Sequence, residues 1–171
     1  YRPADILELM GSWDSILKQN KPTVLVLTKQ KVPKIPGTNQ AMIQKGAYLV
    51  RDCGSTPDAI LISSGSDLIN AYIIANKLAV NGINLNVVSI PSLELFLAQD
   101  EEYRNKLLPE NIKRITLEAS NSYVLGSLAT SIDYAIGLND FGLSGTSEEV
   151  TKEMQFDLDS LLLKVQNLVR K

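Results

Sequence analysis

Residues 57–67 read PDAILISSGSD. Residues 58–63 form a short run dominated by apolar residues, bounded by Pro57 and by Ser64-Gly65. A run this short without polar alternation suits a strand covered on both faces. Ser64-Gly65-Ser66-Asp67 then turns the chain into a helix that carries Leu68, Ala71, Tyr72, Ala75, Leu78 and Ala79 on one face. Asn81-Gly82 suits the end of that helix. Residues 85–90 (LNVVSI) read as the next strand, and Pro91 stops it. Strand, turn, helix and strand in this order are the unit of a parallel sheet.

The alternation continues on both sides. Upstream, residues 47–51 read as a short strand. Downstream, Ser92 caps a short helix with Leu93, Phe96 and Leu97, and residues 100–107 form another, punctuated by Pro109. Residues 114–117 (RITL) are the third strand of the alternation, ending at Glu118. Residues 123–129 read as helix, 134–137 as strand and 147–154 as helix. Asp157 caps a last helix whose apolar face is Leu158, Leu161, Leu162, Val165, Leu168 and Val169. The fold class is α/β: a three-layer, open, mainly parallel sheet with helices on both faces.

The first 46 residues follow a different pattern. In residues 5–18, Ile6, Met10, Trp13 and Leu17 recur at helical spacing, with Leu9 and Ile16 beside them. Asp5 suits the N-cap, and Glu8 stands three residues on, as in a capping box. Gly11 weakens this helix by roughly 1 kcal/mol against Ala, so tertiary packing must hold it. Pro22 closes the helix, and residues 23–28 read as a buried β-branched strand. Residues 29–46 are polar, with two prolines and two glycines, and a boundary is expected at residues 31–46. The division is then 1–30, a linker at 31–46, and an α/β domain at 47–171.

Composition excludes several classes. The chain has 171 residues, 44% hydrophobic, and a net charge of −2. No basic face for a nucleic acid is implied. No run reaches the ~18–20 apolar residues of a membrane span. One cysteine, Cys53, allows no intrachain disulfide and fits a reducing, cytoplasmic setting. There is no histidine, hence no Ser-His-Asp triad, no His-ligated zinc and no His general base. The opening YRPAD lacks an initiator Met, and a piece of a longer protein is expected.

Four places are candidates for chemistry. The SSGSD turn offers free amides at Gly65 and Ser66 as an anion site, though a plain strand-to-helix turn is the better reading. Glu118 ends a strand, where open α/β sheets gather ligands; pairing with a Lys or Arg across an interface is the preferred reading. Residues 89–103 are expected to pack through Phe96 and Tyr103. Lys29 ends the 23–28 run, as a phosphate or carboxylate partner or as a solvated lysine; the local pattern does not choose between them.

Several stretches, in order, resemble transketolase. YRPAD (1–5) before a helix with Trp13 resembles the family's R-P-x-D segment, and PTVLVLTKQKVP (22–33) is similar to P-T-x-L-x-L-S-R-Q-x-x-P. GAYLVRDC (46–53), PDAILISSGSDL (57–68), LEAS (117–120) and IGLNDFGLSGTSEEV (136–150) resemble further family blocks. The most specific piece is NVVSIPSLELFLAQDEEYRNKLLP (86–109). Gly145-Thr146 and Met154-Gln155 depart from the family pattern.

The resemblance implies the end of the pyrimidine-binding domain at 1–30, then the linker, then the C-terminal domain at 47–171. The parent would be a cytoplasmic homodimer of the pentose phosphate pathway. It would transfer a ketol unit between sugar phosphates with thiamine diphosphate and a divalent metal, Mg or Ca. Lys29 would stand where the family places a phosphate-binding Arg. No catalytic, cofactor-binding or metal-binding residue carries over to these 171 residues, so the chain alone is expected to be inactive. The alternatives are the C-terminal domain of a deoxyxylulose phosphate synthase or of dehydrogenase E1 β subunits, or a non-catalytic dimerisation or regulatory module.

Overall fold

The computed structural model describes residues 1–171. Its centre is a five-stranded sheet in the order β1-β3-β2-β4-β5. The strands are β1 (Tyr48–Arg51), β2 (Ala59–Ser63), β3 (Leu85–Ser89), β4 (Arg114–Leu117) and β5 (Ala135–Ile136). All pairings are parallel except that of β1 with β3, which is antiparallel and places β1 at an edge. β2 lies in the middle, and all its residues are buried.

Successive residues of a strand face opposite sides, and the two cores follow from that. Leu61, Val87 and Ile115 join one cluster, with Leu68, Ile74 and Leu78 of α2 (Leu68–Ala79). Leu161 and Val165 of the last helix, Leu158–Arg170, complete that layer. Ile60, Ile62 and Val88 face the other side. There they meet Phe96 of α3 (Leu93–Leu97), Leu108 after α4 (Glu101–Leu107) and Leu125 of α5 (Tyr123–Gly126). Each fully buried Leu, Ile or Phe contributes about 1.5–3 kcal/mol. The order of elements is completed by α6 (Ser147–Glu153), opened by a Thr146–Glu149 capping box, and by α7, the last helix, capped by Asp157.

Three features mark the N-terminal segment. First, α1 (Ile6–Gln19) forms as its spacing predicts, but it packs by its polar side. Glu8, Gly11, Ser12 and Ser15 are buried, while Ile6, Met10, Trp13 and Leu17 are 56, 48, 50 and 76% exposed. Second, residues 23–28 are not a strand. The segment is extended, and the Val26 amide donates to the Tyr1 carbonyl, but no strand runs beside it. Val24, Val26 and Leu27 are exposed. A β-branched run has strand propensity, yet a strand exists only with a partner along its edge. Third, residues 31–46 bury Ile35 and Ile43 completely. The Ile35 amide and the Thr38 hydroxyl both donate to Asp5 Oδ2, at 2.9 and 2.7 Å. The polar stretch is thus fastened to the start of α1.

Two smaller differences lie downstream. The helix expected over 123–129 ends at Gly126, and Leu128 and Ala129 continue in turns. The strand expected over 134–137 has two residues.

Gly11 explains how α1 lies so close. A Cβ there would run into the Gln40 carbonyl oxygen and the Ile43 side chain of the 3₁₀ turn Gln40–Lys45. Ala would gain roughly 1 kcal/mol of helix propensity. The collision involves backbone, which yields poorly, and overpacking costs about 1–3 kcal/mol. Gly11→Ala is therefore expected to destabilise the chain, read as a lower urea midpoint. An unchanged or higher midpoint would show that α1 does not lie this close.

Candidate functional site

The strand order has one switch point. From β2 the chain crosses through α2 to β3 on one side; from β3 it returns to β4 on the other side of β2. Ligands of open α/β sheets gather at the carboxyl ends of the strands flanking such a point. Here those ends carry Ser64 after β2 and Glu118 after β4, and the Ser64 hydroxyl donates to Glu118 Oε1 at 2.8 Å. Asp67 completes the acidic side, its Oδ2 accepting the Ala119 amide at 2.7 Å.

Arg2 enters this crevice. Its guanidinium pairs with Glu118 Oε1 and lies 3.5 Å from Asp67 Oδ2. Its backbone is held as well. The Arg2 amide donates to the Pro91 carbonyl at 2.7 Å, and the Arg2 carbonyl accepts the Gly65 amide at 3.0 Å. Arg2 thus joins the ends of β2, β3 and β4. Burial pushes the Asp67 carboxyl above its ordinary value, opposed by the Ala119 amide and by Arg2.

A second buried carboxylate holds α1. Glu8 is fully buried. Its Oε2 accepts the Ala4 amide at 2.7 Å; its Oε1 accepts the Tyr48 hydroxyl at 2.7 Å and the Ser89 hydroxyl at 2.6 Å. Burial outweighs these three donors and raises the Glu8 pKa. The same burial, with the Glu8 charge beside it, keeps the Tyr48 phenol protonated. The expected capping box is therefore half right: Asp5 Oδ1 caps Leu7 and Glu8, while Glu8 reaches the sheet instead of the Asp5 amide.

The residues singled out from sequence fall as follows. Lys29 is exposed, in the bend after the extended segment. The SSGSD turn does not present an anion cradle, because the Gly65 amide is bonded to Arg2 and the carboxylates of Asp67 and Glu118 lie beside it. Glu118 pairs with an arginine across an interface between segments. Phe96 is buried, and the Tyr103 hydroxyl donates to the Ala47 carbonyl at 2.7 Å. Cys53 is partly exposed, and its thiol donates to the Ser55 carbonyl. Arg2 and Asp67 went unmarked in the sequence; the signal available was an arginine in YRPAD and a glycine in SSGSD, but not their meeting.

The crevice does not fit a diphosphate cofactor. A diphosphate would meet two buried carboxylates, and its natural cationic partner, Arg2, is already committed to them. No helix is long and apolar enough to cross a membrane.

Residues 46–157 match the family model described as the transketolase-like TK C-terminal domain. Among curated proteins, a transketolase of Bacillus subtilis is 35% identical over 99% of this chain and 26% of its own length. A transketolase of Nostoc sp. is 36% identical over 98% of this chain and 26% of its own length. The chain therefore spans about a quarter of the length of these relatives. The crystal structure of a Pichia stipitis transketolase in complex with sedoheptulose 7-phosphate superimposes with a TM-score of 0.88 at 28% identity, covering 99% of this chain and 25% of that one.

Glu8 and Asp67, both lifted by burial above ordinary values of 4.5 and 3.8, bind a proton more tightly folded than unfolded. Stability therefore falls as pH rises from each ordinary value through its lifted one. Glu149, held down chiefly by the Thr146 amide, and Asp157, held down chiefly by the Ser160 hydroxyl, act below their ordinary values with the opposite slope. Glu8→Gln cannot ionise, so thermal unfolding followed upward from about pH 4.5 should show a shallower decline than the unaltered chain. Parallel declines would mean that Glu8 is not the group responsible.

Proposed function

The chain belongs to the transketolase family, and from that premise we propose that it is the C-terminal part of an enzyme that moves a two-carbon ketol unit from a ketose phosphate to an aldose phosphate. Residues 1–30 belong to the pyrimidine-binding domain, 31–46 connect, and 47–171 form the C-terminal domain. The observation that carries this division is the inverted α1. Its apolar stripe, Ile6, Met10, Trp13 and Leu17, stands outward, and Val24, Val26 and Leu27 of the next segment are exposed as well. Apolar surface of that extent on adjacent segments calls for a covering surface. A second domain of the same protein supplies one.

In this reading thiamine diphosphate and its divalent metal are held by other parts of the protein, and the 171 residues alone are inactive. The cofactor serves the reaction as electron sink. This chain contributes Lys29, exposed and in no ion pair, as a charge for the substrate's phosphate. Lysine keeps the charge of the family's arginine and gives up its two-pronged fork. The complete enzyme is a cytoplasmic homodimer.

Two measurements test this. Calorimetry of the 171-residue chain with thiamine diphosphate and magnesium is expected to show no binding, and a micromolar Kd would overturn the assignment of the cofactor to other parts. In the complete enzyme, Lys29→Ala removes a charged hydrogen bond of about 1.5–3 kcal/mol, which lowers kcat/KM for the phosphorylated ketose about 10–100-fold. Equal losses with a ketose lacking phosphate would sink the role given to Lys29.

A further inference from the structure

We propose that the crevice between the carboxyl ends of β2 and β4 is a guanidinium-binding site, filled in this chain by Arg2 and open to an external alkylguanidinium when Arg2 is withdrawn. The inference is independent of the reaction assigned above.

Place is the first argument. The crevice lies at the switch point, where a doubly wound sheet receives its ligand. Arg2 sits there as a ligand would, touching the ends of three strands.

Charge is the second. Glu118 and Asp67 are only 4 and 6% exposed, and one guanidinium serves both. Glu118 Oε2 is buried and has no hydrogen-bond partner. An unpartnered buried carboxylate oxygen is costly. The site therefore has acceptor capacity beyond what Arg2 uses, and its sign selects a cation with several N–H donors.

Shape is the third. Gly65 has φ +56°, and a Cβ there would stand 2.8 Å from Arg2 Nε and 2.9 Å from Arg2 Cγ. The glycine of SSGSD makes room for the arginine stem. A cleft of about 280 Å³, lined by Arg2, Ser64, Ser92, Glu94, Glu118 and Val124 among others, opens beside it and gives a ligand a way in. A planar fork matches two carboxylates better than an ammonium does, so guanidinium is favoured over a simple amine.

Chemical rescue tests the site. Arg2→Ala should lower the thermal midpoint of the 171-residue chain by about 10 °C. Tens of millimolar methylguanidinium chloride should restore at least half of that loss, because a ligand bound only by the folded state stabilises it. The same concentration of potassium chloride or methylammonium chloride should restore much less. Rescue should vanish in Arg2→Ala combined with Glu118→Gln. Equal effects of methylguanidinium and potassium chloride, or rescue that survives Glu118→Gln, would overturn the proposal. If Arg2→Ala does not fold, nitrogen-15 NMR of the unaltered chain decides. Slowly exchanging, resolved Arg2 guanidinium protons that are lost in Glu118→Gln support the site. Arg2 protons exchanging as fast as those of free arginine count against it.

Discussion

Glu8 carries a carboxyl group into the interior, and the lie of the N-terminal segment depends on it. Its three donors come from the chain before α1, from β1 and from β3. Removing one partner from a buried charged network costs about 3–5 kcal/mol. The helix therefore turns its polar side to the sheet. Asp5 and Gly11 reinforce that choice, one by fastening residues 35–38, the other by admitting the Gln40–Lys45 turn at close range. Arg2 fixes the chain just ahead of this point to the carboxyl ends of β2, β3 and β4. What looks like an amphipathic helix on a core is a helix held by polar bonds, with its apolar side left for something else.

The sheet was legible because its signals are local. β2 is a short apolar run, buried on both faces, followed by a turn and a helix, and each of these features lies within about twenty consecutive residues. The orientation of α1 was not legible. A 3.6-residue period marks an apolar stripe; it does not say whether the surface that covers the stripe lies within the same folded unit. The 23–28 segment failed for a related reason, since propensity is a property of the run and pairing is a property of its neighbours. The candidate site divided in the same way. Gly65 and Glu118 each drew notice, but the Ser64–Glu118 bond joins positions 54 residues apart, and Arg2 comes from a third segment. At the SSGSD turn the anion site was the lesser reading beside a plain strand-to-helix turn, and the distant carboxylates give the place the opposite sign. Lys29 owed its role wholly to resemblance, and nothing in its local pattern chose one.

The extended segment around Val24–Leu27 has one more property. Lys18, Lys21, Lys29, Lys31 and Lys34 surround it, and no acidic residue occurs between Asp14 and Asp52, in a chain whose net charge is −2. All five lysines are exposed. Two copies of this segment brought edge to edge would set like charges against each other, which penalises self-pairing of an otherwise sticky apolar run. A neutral or acidic partner meets no such barrier, and the approach of an acidic one is accelerated by the attraction at low ionic strength. The basic fringe thus acts as a filter on encounter, discouraging the wrong neighbour before the apolar contacts form.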